Sequence, residues 1–183
     1  MTAMNRAVTE APLTIDALNQ MTEKMFVEAL ADIYEHSPWV AAKAATERPF
    51  ADIDDLCEAM ADIVLTADKQ KQHELLNAHP ELGQSGTLTS ASTIEQRFAG
   101  FDRMIQGDAE RLTTLNRTYR TRFGFPFIVA VRGQKNASAI IEKLQQRLAH
   151  DQSAEAKLAL DEVIRIANFR LRHRIHDPQQ PIS

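Results

Sequence analysis

The chain has one cysteine, Cys57, in 183 residues. That excludes an internal disulfide and any cysteine-only metal site. Cys57 is expected on the apolar face of a helix, as a small hydrophobe. Glycine (6) and proline (7) are scarce, so long stretches run without a breaker. Aromatic residues are few, at 6%, with a single tryptophan. No apolar run reaches the length of about 18 residues that a membrane-spanning helix needs. There is no excess of positive charge either. The formal charge is −4 and the pI about 5.9, which gives no reason to expect nucleic acid or an anionic membrane as partner. The start, MTAMNRAVTEAP, lacks the basic and apolar regions of a signal peptide, and the end, QQPIS, carries no peroxisomal address. A reducing cytoplasm is the expected location.

What is present is 44% apolar and 25% charged residues, an ordinary balance for a globular protein. The long runs are rich in Ala, Leu, Glu, Gln, Lys and Arg, the good helix formers. The length suits one domain, with a core large enough to fold without metals or disulfides. The pattern predicts an all-α, single-domain bundle of about seven to nine helices. Residues 1–12 read as a leader, 13–175 as the helical domain and 176–183 as a tail.

Helix signals follow in order. Thr14 or Asp16 begins a short helix, and Thr22 starts another that carries Phe26, Ala29, Leu30 and Ile33. Ser37 can cap a third, with Pro38 at its first position. Asp52 to Lys71 reads as one long amphipathic helix with Leu56, Ala59, Met60, Ile63 and Val64 on one face. Pro80 should end the next pattern by turning His79 from helical geometry. A helix from about Ser92 would carry Ile94, Phe98, Phe101 and Ile105, with Gly107-Asp108 closing it and capping the next. Leu112, Leu115, Tyr119 and Phe123 are in register on that one. FGFPFIVAVRG is apolar and punctuated, an extended passage without an evident strand partner. Two helices finish the chain, near 137–150 and 153–175, the last with a stripe of Leu160, Val163, Ile164, Ala167 and Leu171.

Few residues here could carry chemistry. His79 sits at a helix end, where burial or a carboxylate can tune it as acid or base; a plain helix-end histidine with Pro80 as stop signal is the alternative. Ser92-x-x-Glu95 matches a capping box. The same helix start could bind an anion, and its carboxylate could fix the tautomer of a histidine. Phe127, Ile128 and Val129 lie in a stretch with almost no polar side chains. Their backbone groups are either plain core or the lining of a polar pocket. The last helix ends in Arg165, Arg170, Arg172 and Arg174. Cations there are favourable by position alone, but Arg170 lies at the edge of the buried stripe, where a guanidinium could clamp a carboxylate or ring edge. His173-x-x-His176 has no companion ligand motif, so no metal is expected. A non-catalytic binding module that uses the basic last helix is the competing reading.

Taken together, three segments resemble one family. They are HPELG (79–83), STIEQ (92–96) and FGFPFI (123–128), supported by EHSPWVAAKA (35–44), RPF (48–50), LNRTYRTRFGFPF (115–127) and IANFRL (166–171). Their order and spacing resemble OHCU decarboxylase, the 2-oxo-4-hydroxy-4-carboxy-5-ureidoimidazoline decarboxylase of purine breakdown, over about residues 13–172. The resemblance implies an all-helical domain, often a homodimer, acting on a small ureide with no metal or organic cofactor and forming (S)-allantoin and carbon dioxide. It implies His79 as the central catalytic residue, paired with Glu95, in a loop shaped by Pro80. Ser92, Gln96, the backbone around Phe127–Val129, and Arg170 would hold the substrate, at the helix ends and the Gly-Phe-Pro-Phe loop. Action on a related ureide is a further alternative.

Overall fold

The computed structural model describes residues 12–83, 106–132 and 134–176. These residues form eight helices and no strand. They are α1 (Ile15–Gln20), α2 (Glu23–Leu30), α3 (Pro38–Ala45), α4 (Ile53–Leu65), α5 (Lys69–Ala78), α6 (Gln106–Phe123), α7 (Ala137–Arg147) and α8 (Gln152–Arg174).

Side-chain caps set most starts. Thr14, Thr22, Asp52, Asp68, Asn136 and Asp151 each accept a bond from the backbone N–H three residues on. Each satisfies a donor the helix leaves open. Ser37 precedes α3 but makes no side-chain cap bond; Pro38 at the first position sets that start instead.

The expected long helix from Asp52 to Lys71 is two helices. The Thr66 hydroxyl donates to the Asp62 carbonyl at 2.6 Å and closes α4, and Asp68 accepts from the Lys71 N–H at 2.8 Å to open α5. Two polar side chains that bond their local backbone outcompete a helical pattern running through them. Gly107 and Asp108 lie within the first turn of α6, so they do not mark a boundary there. The Ile94–Ile105 pattern lies outside the described residues.

The core runs the length of the bundle. Leu18, Phe26, Leu56, Met60, Leu75, Tyr119, Ile140, Val163 and Leu171 are all buried, and so is Cys57. α4 packs on α3 and α8, and α8 also meets α5 and α6. Long-range polar bonds tie the ends together. The Arg48 guanidinium donates to the carbonyls of Leu18 (3.2 Å), Met21 (2.5 Å) and Ala45 (2.9 Å), which closes α1 and α3 at once. The His176 N–H donates to Leu13 O at 2.7 Å, so the two ends of the bundle meet.

α6 ends at Gly124, whose φ is +78°. A Cβ there would meet only His73 Cε1, at an ordinary 3.5 Å. Gly124→Ala should therefore lose about 1 kcal/mol from the left-handed backbone alone, measured by urea unfolding.

Candidate active site

His79 is the C-cap of α5, with extended backbone at φ −77° and ψ 139°. Pro80 forces that geometry, and the turn carries the imidazole inward, where it is 7% exposed. Its Nδ1 lies 2.9 Å from the Leu75 carbonyl. A carbonyl only accepts, so Nδ1 holds the hydrogen and Nε2 of the neutral ring holds the lone pair. Burial pushes the imidazole pKa down to about 4; the Leu75 bond and the Glu35 carboxylate oppose this, and Arg170 and His36 add to it. At neutral pH His79 is neutral, and among the described residues its Nε2 has no hydrogen-bond partner.

α6 holds the loop beyond His79. Asn116 donates to Leu82 O at 3.0 Å, and Arg120 donates to Glu81 Oε1 at 2.8 Å and to Asn77 Oδ1 at 3.2 Å. Asn77 in turn donates to Gly124 O at 3.2 Å. The end of α5 and the start of the FGFPF passage are thus stitched together. A cleft of about 330 Å³ opens on the outer side of this loop, lined by Glu81, Thr113, Arg117, Arg120 and Thr121, and contains none of the buried groups above.

The passage from Phe125 to Val131 is buried and belongs to no helix or strand. The rings of Phe123, Phe125 and Phe127 pack around Tyr119, with centroids 4.7–6.0 Å from it. Two buried ionic side chains fix its backbone. Arg147 of α7 donates to Ile128 O at 2.7 Å and lies over the Phe127 ring. Glu162 of α8 accepts from the Ala130 N–H at 2.7 Å. The peptide groups on both sides of Val129 are pinned. Among the described residues the N–H groups of Phe127, Ile128 and Val129 have no hydrogen-bond partner.

Arg147 is itself neutralised by Glu155 at the start of α8. Glu155 Oε1 receives Arg147 Nε at 2.7 Å, Arg147 Nη2 at 2.5 Å and the Tyr119 hydroxyl, while Oε2 faces His150 Nδ1 at 2.7 Å. Burial first, and the Glu155 carboxylate second, hold the Tyr119 hydroxyl firmly protonated as a donor.

Arg170 projects from α8 and is 9% exposed. Its Nη1 donates to Glu35 Oε2 at 2.8 Å, and to the carbonyls of Asp32 (3.3 Å) and Ile33 (3.4 Å). Arg170 and Glu35 form an ion pair within electrostatic range of His79, and Asn77 at the end of α5 is bonded to Gly124, three residues before the Phe127–Val129 passage. Ser92, Glu95 and Gln96 lie outside the described residues.

Sequence reasoning missed Glu35, Arg147, Glu155 and Glu162. The available signal was an acid or base at a helically buried position. Glu155 and Glu162 fall on the same face as Ala159 and Val163, and Glu35 follows the apolar Ile33-Tyr34.

The other arginines of the last helix are engaged within the chain. Arg172 pairs with Asp54, Arg174 with Asp32, and Arg165 Nη1 lies 3.6 Å from Glu162 Oε1. Changing both Arg172 and Arg174 to alanine should cost only about 0–2 kcal/mol in total, since such surface pairs contribute little. Urea unfolding of the double variant measures it. Among the described residues no three His, Cys, Asp or Glu side chains come together as a metal site would require. No described helix is long and apolar enough to cross a membrane.

Comparison with known proteins agrees on one family. The OHCU decarboxylase family profile matches residues 19–172. The chain is 44% identical over 162 residues to the 2-oxo-4-hydroxy-4-carboxy-5-ureidoimidazoline decarboxylase of Haloferax volcanii, covering 88% of this chain and 96% of the relative. It is 46% identical over 159 residues to the protein of the same name from Halalkalicoccus jeotgali, covering 87% and 90%. Among solved structures, an (S)-allantoin synthase superposes with a TM-score of 0.70 at 32% identity, covering 89% of this chain and 54% of that longer one. The all-helical fold is shared, and the chain belongs to the OHCU decarboxylase family.

Proposed function

We propose that this protein decarboxylates 2-oxo-4-hydroxy-4-carboxy-5-ureidoimidazoline to (S)-allantoin and carbon dioxide in urate breakdown. The observation that carries the reading is His79, in a chain of this family: a buried neutral imidazole, locked by Leu75 O, within electrostatic range of the Arg170 guanidinium.

The substrate explains why these residue types suffice. The carbon that loses carbon dioxide also bears a hydroxyl and adjoins a C=N bond. As carbon dioxide departs, the C–C electron pair becomes a double bond to the ureido-bearing carbon. The C=N pair settles on the ring nitrogen, which takes up a proton. The substrate thus contains its own electron sink and needs no metal or organic cofactor. The hydroxyl proton passes to Nε2 of His79, and the imidazolium returns it to one face of the ureido-bearing carbon as the hydroxyl becomes a carbonyl. An imidazole held at low basicity is a correspondingly strong acid once protonated, which favours that second transfer.

Arg170 binds the carboxylate or a polar ring edge. The open N–H groups of Phe127–Val129 hold the ring or ureido oxygen, as preorganised donors should. By resemblance to the family, Ser92 and Gln96 bond the substrate, and Glu95 pairs with His79 once Nε2 has taken the proton, since the neutral ring offers that carboxylate no N–H. The enzyme works in the cytoplasm as a homodimer. The binding-module reading loses its support, because Arg165, Arg172 and Arg174 already face carboxylates of the same chain.

The test follows the substrate, freshly generated from urate, by circular dichroism with and without the protein. Fast formation of one allantoin enantiomer only with protein is expected. Slow racemic product at the same rate in both samples, from folded protein, overturns the proposal.

A further inference from the structure

We propose that Glu35 is a positioning residue for the reaction: it fixes the Arg170 guanidinium against the α2–α3 turn and sets a balancing negative charge near His79. The inference rests on the decarboxylase reading above.

The pair is out of place as a device for stability. Glu35 is fully buried and Arg170 nearly so. Replacing a buried ion pair with well-packed apolar residues is often neutral or stabilising, so such a pair needs another reason to be there. Its geometry supplies one. Arg170 Nη1 contacts Glu35 Oε2, Asp32 O and Ile33 O, all from a single short turn. A guanidinium is planar, so holding one nitrogen on the scaffold fixes the direction of its remaining N–H groups. The turn is itself constrained. His36, next to Glu35, has φ +46°, a conformation uncommon for a residue other than glycine and one that clusters at functional sites.

The second role is electrostatic. Among the described residues, Glu35 and His36 from the turn and Arg170 from α8 act on His79. Glu35 favours the imidazolium, and the other two oppose it. With Arg170 alone, an uncompensated positive charge would act on the ring that must take a proton during turnover. Glu35 neutralises that charge without displacing the guanidinium.

The test uses full-length Glu35→Gln, Glu35→Asp, Arg170→Gln and the double variant Glu35→Gln/Arg170→Gln, each assayed by circular dichroism. Glu35→Gln should raise KM about tenfold and lower kcat/KM about a hundredfold, since a clamp loses its direction and a proton acceptor its counter-charge. Glu35→Asp, which keeps the charge, should recover part of this. On an Arg170→Gln background, Glu35→Gln should cost less than about twofold more. A crystal structure of Glu35→Gln should show Arg170 displaced from the Asp32 and Ile33 carbonyls. KM and kcat within about twofold of wild type, independent losses that multiply in the double variant, or an undisplaced Arg170 would each overturn the proposal. If Glu35→Gln does not fold, Glu35→Asp and the doubly neutral variant decide, through the same KM comparison. If wild type itself shows no decarboxylation, the function reading falls, and the crystal structure still decides whether Glu35 positions Arg170.

Discussion

His79→Asn should lower kcat for allantoin formation by about 10²–10⁴-fold, the usual worth of a positioned acid–base group. The choice of asparagine separates structure from chemistry. Its amide N–H can occupy the place of Nδ1–H and keep the bond to Leu75 O, which lies 2.9 Å from Nδ1 in the native chain. Nothing in asparagine reaches the position of Nε2. The fold should therefore survive, and the allantoin that still forms should be racemic. Full activity with full stereoselectivity in this variant, followed by circular dichroism, would refute every proton-transfer role for His79.

The same residue predicts two pH effects of known sign. If His79 is the base proposed above, kcat/KM should stay level through neutral pH and fall on the acid side near pH 4, where the ring protonates. Stability follows a different limb. The unfolded histidine titrates near 6.5 and the folded one near 4. Between those values the unfolded chain binds more protons, so stability is fully present above 6.5 and is lost as pH falls towards 4. The loss attributable to this group is about 3 kcal/mol. Wild type and His79→Asn should converge in this sense: the variant lacks that loss, and its stability depends less on pH across this window. Parallel urea-unfolding curves for the two proteins at pH 7 and pH 4.5 would contradict the buried, neutral assignment.

The helical frame was legible because it is written in local chemistry. Thr14, Thr22 and Pro38 mark their helix starts by side-chain type, and His79-Pro80 marks an end. The apolar stripe of the last helix was legible too, since Leu160, Val163, Ala167 and Leu171 recur at helical spacing and are all buried. What hid was the polar half of the same faces. Glu155 and Glu162 share the buried side of α8 but look like ordinary solvated positions until Arg147, 8 residues before Glu155, and the Ala130 N–H, 32 residues before Glu162, arrive to meet them. Glu35 is the extreme case, since its partner Arg170 lies 135 residues away. Periodicity reports which face is inside; it carries no record of which distant charge makes burial of an acid tolerable. The break between α4 and α5 hid for the opposite reason. Thr66 and Asp68 act within a few residues, but their pull on the backbone competes with an apolar pattern that continues through them.

The largest stability effect should come from Glu155→Gln. The carboxylate is fully buried and is the shared acceptor for Arg147, Tyr119 and His150. Neutralising it leaves the Arg147 guanidinium buried with no counter-charge, which should cost about 3–5 kcal/mol in urea unfolding at unchanged slope. Arg147→Met should cost about as much, because it leaves Glu155 charged and releases Ile128 O. The double variant, Arg147→Met with Glu155→Gln, should be destabilised by about 1–3 kcal/mol less than the sum of the two, since no unpaired charge remains. It should still be impaired as an enzyme. The Ile128 carbonyl loses its anchor while Glu162 continues to hold Ala130 N–H at 2.7 Å. Val129 is then pinned on one side only, and the N–H groups proposed to hold the substrate ring lose their fixed direction. KM should rise about tenfold with a smaller change in kcat, the signature of lost ground-state positioning. Strict additivity of the two destabilisations would show that Arg147 and Glu155 do not act as a pair. A wild-type KM in a folded double variant would show that the Phe127–Val129 backbone does not need their support.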